Sequence, residues 1–65
     1  MSTNLYIVTP PRKRAVFVKA YSPKWAAQQG CTMTHSSAKW AWVRPVVYGR
    51  ALRAERVTVY RGVGR

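Results

Sequence analysis

Trp40, Trp42 and Arg44 occupy alternate positions in the run Lys39-Trp40-Ala41-Trp42-Val43-Arg44. Side chains spaced by two share one face of any strand that contains them. An exposed pair of indoles beside a guanidinium has the chemistry to grip a single-stranded nucleic acid. A base stacked on an aromatic ring is worth about 1–3 kcal/mol, and the guanidinium holds a phosphate or stacks in its turn. The competing use is structural, because so small a protein has to bury its largest side chains. Core is the expectation for both indoles, with the binding platform as the alternative. Phe17 and Tyr21, which alternate with Lys19, pose the same choice and are expected in the core.

The other groups that could act are cationic. Arg12-Lys13-Arg14 follows Pro10-Pro11 as a stiff basic connector, suited to lie along a phosphate backbone or in a minor groove. Arg50, Arg53 and Arg56 recur at every third position and, with Arg61 and Arg65, make the C-terminal third the most basic part of the chain. Lys19 and Lys39 complete the candidate phosphate contacts. Eight arginines and four lysines make up the twelve cations. The planar fork of arginine suits bidentate contacts to phosphates and base edges, whereas lysine acts as a point charge.

Catalysis and metal binding find little to work with. Cys31 and His35 are the only soft ligands, and zinc requires three or four protein ligands. Cys31 reads as a small buried hydrophobe and His35 as a loop residue. Glu55 is the only acidic side chain, so paired-carboxylate hydrolysis, a Ser-His-Asp triad and carboxylate-held magnesium all lack their parts. Its expected role is a local ion pair with Arg53 or Arg56. Neither enzyme activity, nor a cofactor, nor a metal is expected.

Charge then sets the class. A net charge of +11 on 65 residues exceeds the magnitude of about 2–8 that suffices for a small domain. Like charges push a compact chain apart, so the excess points to a polyanionic partner. Disorder is disfavoured: 48% of the residues are hydrophobic, including three Trp, four Tyr and one Phe. Residues 1–65 read as one small basic domain, near the lower size limit for independent folding. A lone cysteine provides no internal disulfide and suits a reducing compartment.

The elements that would position these groups are short. Leu5–Thr9 and Ala15–Tyr21 alternate as strands, the second with Val16, Val18 and Ala20 on one face. Ser22-Pro23 opens a short helix over about 23–29, with Trp25 fixing it to the sheet and Gly30 as its left-handed exit. Cys31–His35, Lys39–Arg44 and Arg56–Arg61 alternate as further strands, Pro45 favours an edge or bend, and Gly49–Glu55 is either a helical turn or a hairpin loop. Residues 62–65 form a tail. The expected fold is mostly β: a small antiparallel sheet, or a five-stranded barrel resembling the SH3 type, with one short helix. The alternative is an open β-β-α-β-β sheet with the helix on one face.

Two classes of function fit. The first is a small non-enzymatic DNA- or RNA-binding protein that contacts the phosphate backbone, with aromatic stacking in support. The second is a structural or accessory subunit of a phage virion or ribonucleoprotein assembly, held by protein partners, or a small phage-type regulator that seizes an acidic host protein. A membrane-active bacteriocin comes third, since no long amphipathic helix is present. No apolar span reaches the ~20 residues of a membrane helix, and the first residues, with no basic region followed by an apolar run, are not expected to act as a signal peptide. The expected location is therefore the cytoplasm or the interior of a nucleoprotein particle.

Overall fold

The computed structural model describes residues 2–59. Six elements follow in order: β1 (Asn4–Thr9), β2 (Val16–Ala20), α1 (Pro23–Met33), β3 (Trp40–Val47), β4 (Arg50–Ala51) and β5 (Glu55–Thr58). They form one open antiparallel sheet and a single helix, so the fold is mostly β. β1 lies between β2 and β3, and the far side of β3 is shared. β5 pairs with its first half, Trp40–Val43, and β4 with Val46 and Val47. β2 is an edge strand, paired with β1 alone, so the closed barrel does not form.

Pro45 sits in the middle of β3 without breaking it. Its carbonyl accepts from Leu52 N–H at 2.8 Å, on the side away from β1. In a strand the N–H and C=O of one residue point the same way, so the missing proline N–H falls between the β5 and β4 pairings. The β3–β4 hairpin turns on Tyr48 and Gly49, both at positive φ (52° and 74°). That geometry matches the two-residue turn favoured by strand twist. Val47 pairs directly with Arg50 across it, which resolves the Gly49–Glu55 ambiguity as a hairpin and a loop. Pro10–Lys13 forms a β-turn closed by Lys13 N–H to Pro10 O at 3.1 Å. The basic connector is thus the tip of the β1–β2 hairpin.

The helix begins as its residues dictate. Ser22 caps it, its hydroxyl accepting from Trp25 N–H at 3.4 Å, and Pro23 takes the first helical position. It does not end where glycine suggests. Gly30 lies buried within α1, and the chain leaves the helix through His35 at φ 55°. Ser36 N–H bonds Cys31 O at 2.8 Å and His35 N–H bonds Thr32 O at 3.2 Å, the paired closure of a left-handed C-terminal cap. Cys31–His35 is accordingly the last helical turn and its exit, not a strand. At the other end, β5 covers Glu55–Thr58, and Tyr60, Arg61 and the 62–65 tail lie outside the described residues.

Packing explains the reassignment of Gly30. α1 crosses one face of the sheet and turns Ala26, Ala27, Gly30 and Cys31 inward. They meet Tyr6, Val8, Val18, Ala20, Ala41, Val43 and Val59. A methyl group added at Gly30 would overlap Val8 Cγ1 and come within 2.6 Å of Val8 Cβ. Only a hydrogen fits there. Trp25 lies outside the core, 54% exposed, and lines a hollow shared with Lys19, Ala20 and Tyr21 at the β2 edge.

Gly30→Ala sets two effects against each other. Helix propensity favours alanine by about 0.8–1.0 kcal/mol, while overpacking a filled core costs roughly 1–3 kcal/mol. Because the clash reaches Val8 Cβ, which cannot swing aside, the clash should win. We expect Gly30→Ala to lower stability by about 1–2 kcal/mol in denaturant unfolding, with part of the loss recovered in the double variant with Val8→Ala. A Gly30→Ala protein more stable than the parent would contradict this packing.

Candidate nucleic-acid interface

The face of the sheet opposite the helix has no cover. Paired residues on neighbouring strands share a face, and the register reads out its rows. Thr9, Trp42 and Arg56 form one row, Phe17, Ile7 and Arg44 the next, and Lys19, Leu5, Val46 and Ala51 the third. Trp40 and Thr58 add a fourth. None of these residues is buried. Rows along a strand are separated by about 6.8 Å, and strands by about 4.8 Å.

The expectation that Trp40 and Trp42 fill the core is overturned. Their alternate partners Ala41 and Val43 are buried, while Trp42 is 44% exposed and Trp40 half-buried. Phe17, 66% exposed, and Tyr21 are also outside the core. Ala41 and Val43 pack against the small residues of α1, and alternation along β3 then turns both indoles to the opposite face. The two indoles instead meet edge to face, ring centroids 5.5 Å apart at 86°, an arrangement favoured by the ring quadrupole. The Arg56 guanidinium carbon lies 4.5 Å from the Trp40 ring centroid, a cation–π contact. Trp40 therefore props Trp42 and anchors Arg56, and the ring surfaces open to a ligand are those of Trp42 and Phe17.

A depression of about 290 Å³ opens between the rows, lined by Ile7, Thr9, Trp42, Arg44 and Ala54. Arg44 is the one cation of its lining, and further cations adjoin the lining residues along the chain. Arg12, Lys13 and Arg14 are exposed at the hairpin tip that follows Thr9, and Arg53 is exposed in the loop beside Ala54. Lys19 joins the face through β2. Glu55, the sole acidic side chain, pairs with Val43 and so lies on the helix side of the sheet. Adjacent strand residues point to opposite faces, which holds Glu55 away from Arg56, one of its two expected partners beside Arg53. Among the described residues no carboxylate side chain stands with the cations of the open face.

Of the residues singled out from sequence, the structure brings Lys19, Trp40, Trp42, Arg44 and Arg56 together on one face, with Arg12, Lys13, Arg14 and Arg53 around it. Arg50 pairs with Val47 on the helix side, and Lys39 precedes β3. Both are exposed but stand apart from the cluster. Arg61 falls outside the described residues. Ile7 and Thr9 were missed as site residues, and Phe17, weighed as core or platform, was expected in the core. Their alternation was visible, but which face the helix leaves bare was not.

The outer side of α1 has different chemistry. Trp25, Gln28, Gln29, Thr32 and Met33 line a shallow groove there, and Lys24 is the only charged residue of the helix. No helix among the described residues is long and apolar enough to cross a membrane. No protein-family model, characterised protein or solved structure matches the chain.

The placement of the indoles yields an inverted expectation. Trp42→Ala removes a half-exposed ring and its edge-to-face partner, a loss of about 1–2 kcal/mol. Val43→Ala removes two methyls from a site only 1% exposed, a loss of about 2–3 kcal/mol once the cavity is included. Thermal melts should therefore rank the small substitution as the more damaging. A Trp42→Ala protein that fails to fold, beside a stable Val43→Ala protein, would return the indole to the core.

Proposed function

We propose that this chain is a small non-enzymatic nucleic-acid-binding protein whose helix-free sheet face takes a single strand. Bases stack on Trp42 and Phe17, and the phosphates are held by the surrounding arginines and lysines. One observation carries the reading: the exposed aromatics and Lys19, Arg44 and Arg56 share a face on which nothing is buried, and the only acidic side chain is turned from it.

Single strands are favoured over duplex by shape. A flat sheet offers ring surfaces to splayed bases, whereas in a duplex those base faces are already stacked. The helix is an unsuitable groove reader, since its outward side carries Trp25, glutamines and Met33 with a single cation, Lys24. Affinity should come chiefly from phosphate neutralisation, with the stacked rings fixing the strand on the face.

The test is a titration of tryptophan fluorescence with a single-stranded oligonucleotide and with its duplex, repeated across salt concentrations. For single strands, log K should fall against log salt by about 0.7 per phosphate neutralised, so several contacts give a steep line. The duplex should bind at least tenfold more weakly. Replacing Arg12, Lys13 and Arg14 together by Ala should make the line shallower while leaving the melting temperature in place, because all three are exposed at a hairpin tip. Salt-independent binding, or a preference for duplex, would overturn the proposal.

A further inference from the structure

The depression on the open face is lined by residues of mixed chemistry: Trp42 carries an indole, Ile7 an apolar side chain, Thr9 a hydroxyl and Arg44 a guanidinium. At about 290 Å³ it lies at the lower end of small-ligand pockets, which span ~300–1,000 Å³. It suits one planar ring system rather than a stack of several.

Arg44 differs from the other cations in its placement. It follows Trp42 by two residues on the same strand and borders the same depression, so a ring stacked on Trp42 turns an edge towards it. Arg56, directly across from Trp42, has its guanidinium committed over Trp40. The hairpin-tip cations lie outside the depression, where the sugar-phosphate chain would pass. Centre and rim thus divide the work: rim charges hold phosphate, and the central fork meets a base edge.

A guanidinium fork donates and cannot accept. Guanine presents two adjacent acceptors, O6 and N7, at the spacing of that fork, whereas adenine sets a donor beside its N7. Cytosine also has acceptors on its pairing edge, but a smaller ring to lay on the indole. We infer that the depression is a guanine subsite, with the base stacked on Trp42 and O6 and N7 accepting from Arg44. This rests on the reading of the open face as a single-strand platform.

The probes are oligothymidylates of equal length carrying one central dG, dA, dC or 7-deaza-dG, titrated by tryptophan quenching at fixed salt. The dG strand should bind roughly tenfold more tightly than plain oligothymidylate. The 7-deaza-dG strand, which lacks the N7 acceptor, should lose most of that gain. Arg44→Lys keeps the charge but not the fork, and should level dG with dT. Circular dichroism of the variant confirms that it is folded, and the 7-deaza arm needs no variant at all. Equal binding of dG and dT by the parent protein, tighter binding of dC or dA, or a dG preference that survives both 7-deaza substitution and Arg44→Lys, would overturn the subsite while the platform stands. Absence of quenching by every strand would overturn the platform as well.

Discussion

The contact of Gly30 with Val8 fixes how close the helix comes to the sheet, and most other features follow from that distance. Val8 is wholly buried on β1, which is flanked by β2 and β3. Over it the helix presents Ala26, Ala27, Gly30 and Cys31, and the sheet answers with Val18, Ala20, Ala41 and Val43. Among the described residues Tyr6 is the only aromatic in this core. Interiors pack to the density of organic crystals, and here small residues of α1 fill the layer against valine and alanine of the sheet. The three tryptophans and the phenylalanine lie outside that core. Two of those indoles and the phenylalanine share the bare face of the sheet.

That bare face is also where the charge is least compensated. Exposed arginines and lysines ring it, while the chain's one acidic side chain stands behind the sheet. A small core rarely supplies more than ~3–5 kcal/mol, and self-repulsion works against it. Under the proposed function, a bound polyanion would relieve this repulsion and stabilise the fold by mass action.

Much of this was legible in the residues. The alternation of Val16, Val18 and Ala20 against Phe17 and Lys19, the Ser22-Pro23 start of the helix, and the grouping of Trp40, Trp42 and Arg44 all appear in the structure as expected. Two points were not legible, for definite reasons. Glycine serves both as a left-handed exit and as a place where two backbones come close. At Gly30 the tertiary contact with Val8 decides between them, and the exit falls to His35. Alternation around Trp40 and Trp42 shows which side chains travel together, but not which side the helix will cover. That depended on Ala41 and Val43 matching the small residues of α1, a pairing between segments far apart in the chain. The acceptance of Pro45 inside β3 has a similar origin, since it needed two separate partners to leave a gap beside its nitrogen.

If the helix-free face, and not the helix side, meets nucleic acid, the chain contains its own control. Its three tryptophans divide between the faces, Trp40 and Trp42 on the open sheet and Trp25 on the outer side of α1. The most direct measurement is therefore the set of three indole N–H signals in a nitrogen–proton correlation spectrum, followed as a short single-stranded oligonucleotide is added. The signals of Trp40 and Trp42 should shift or broaden in proportion to occupancy, with Trp42 the more affected, while that of Trp25 stays in place. Movement of the Trp25 signal alone, with the other two unchanged, would contradict the account.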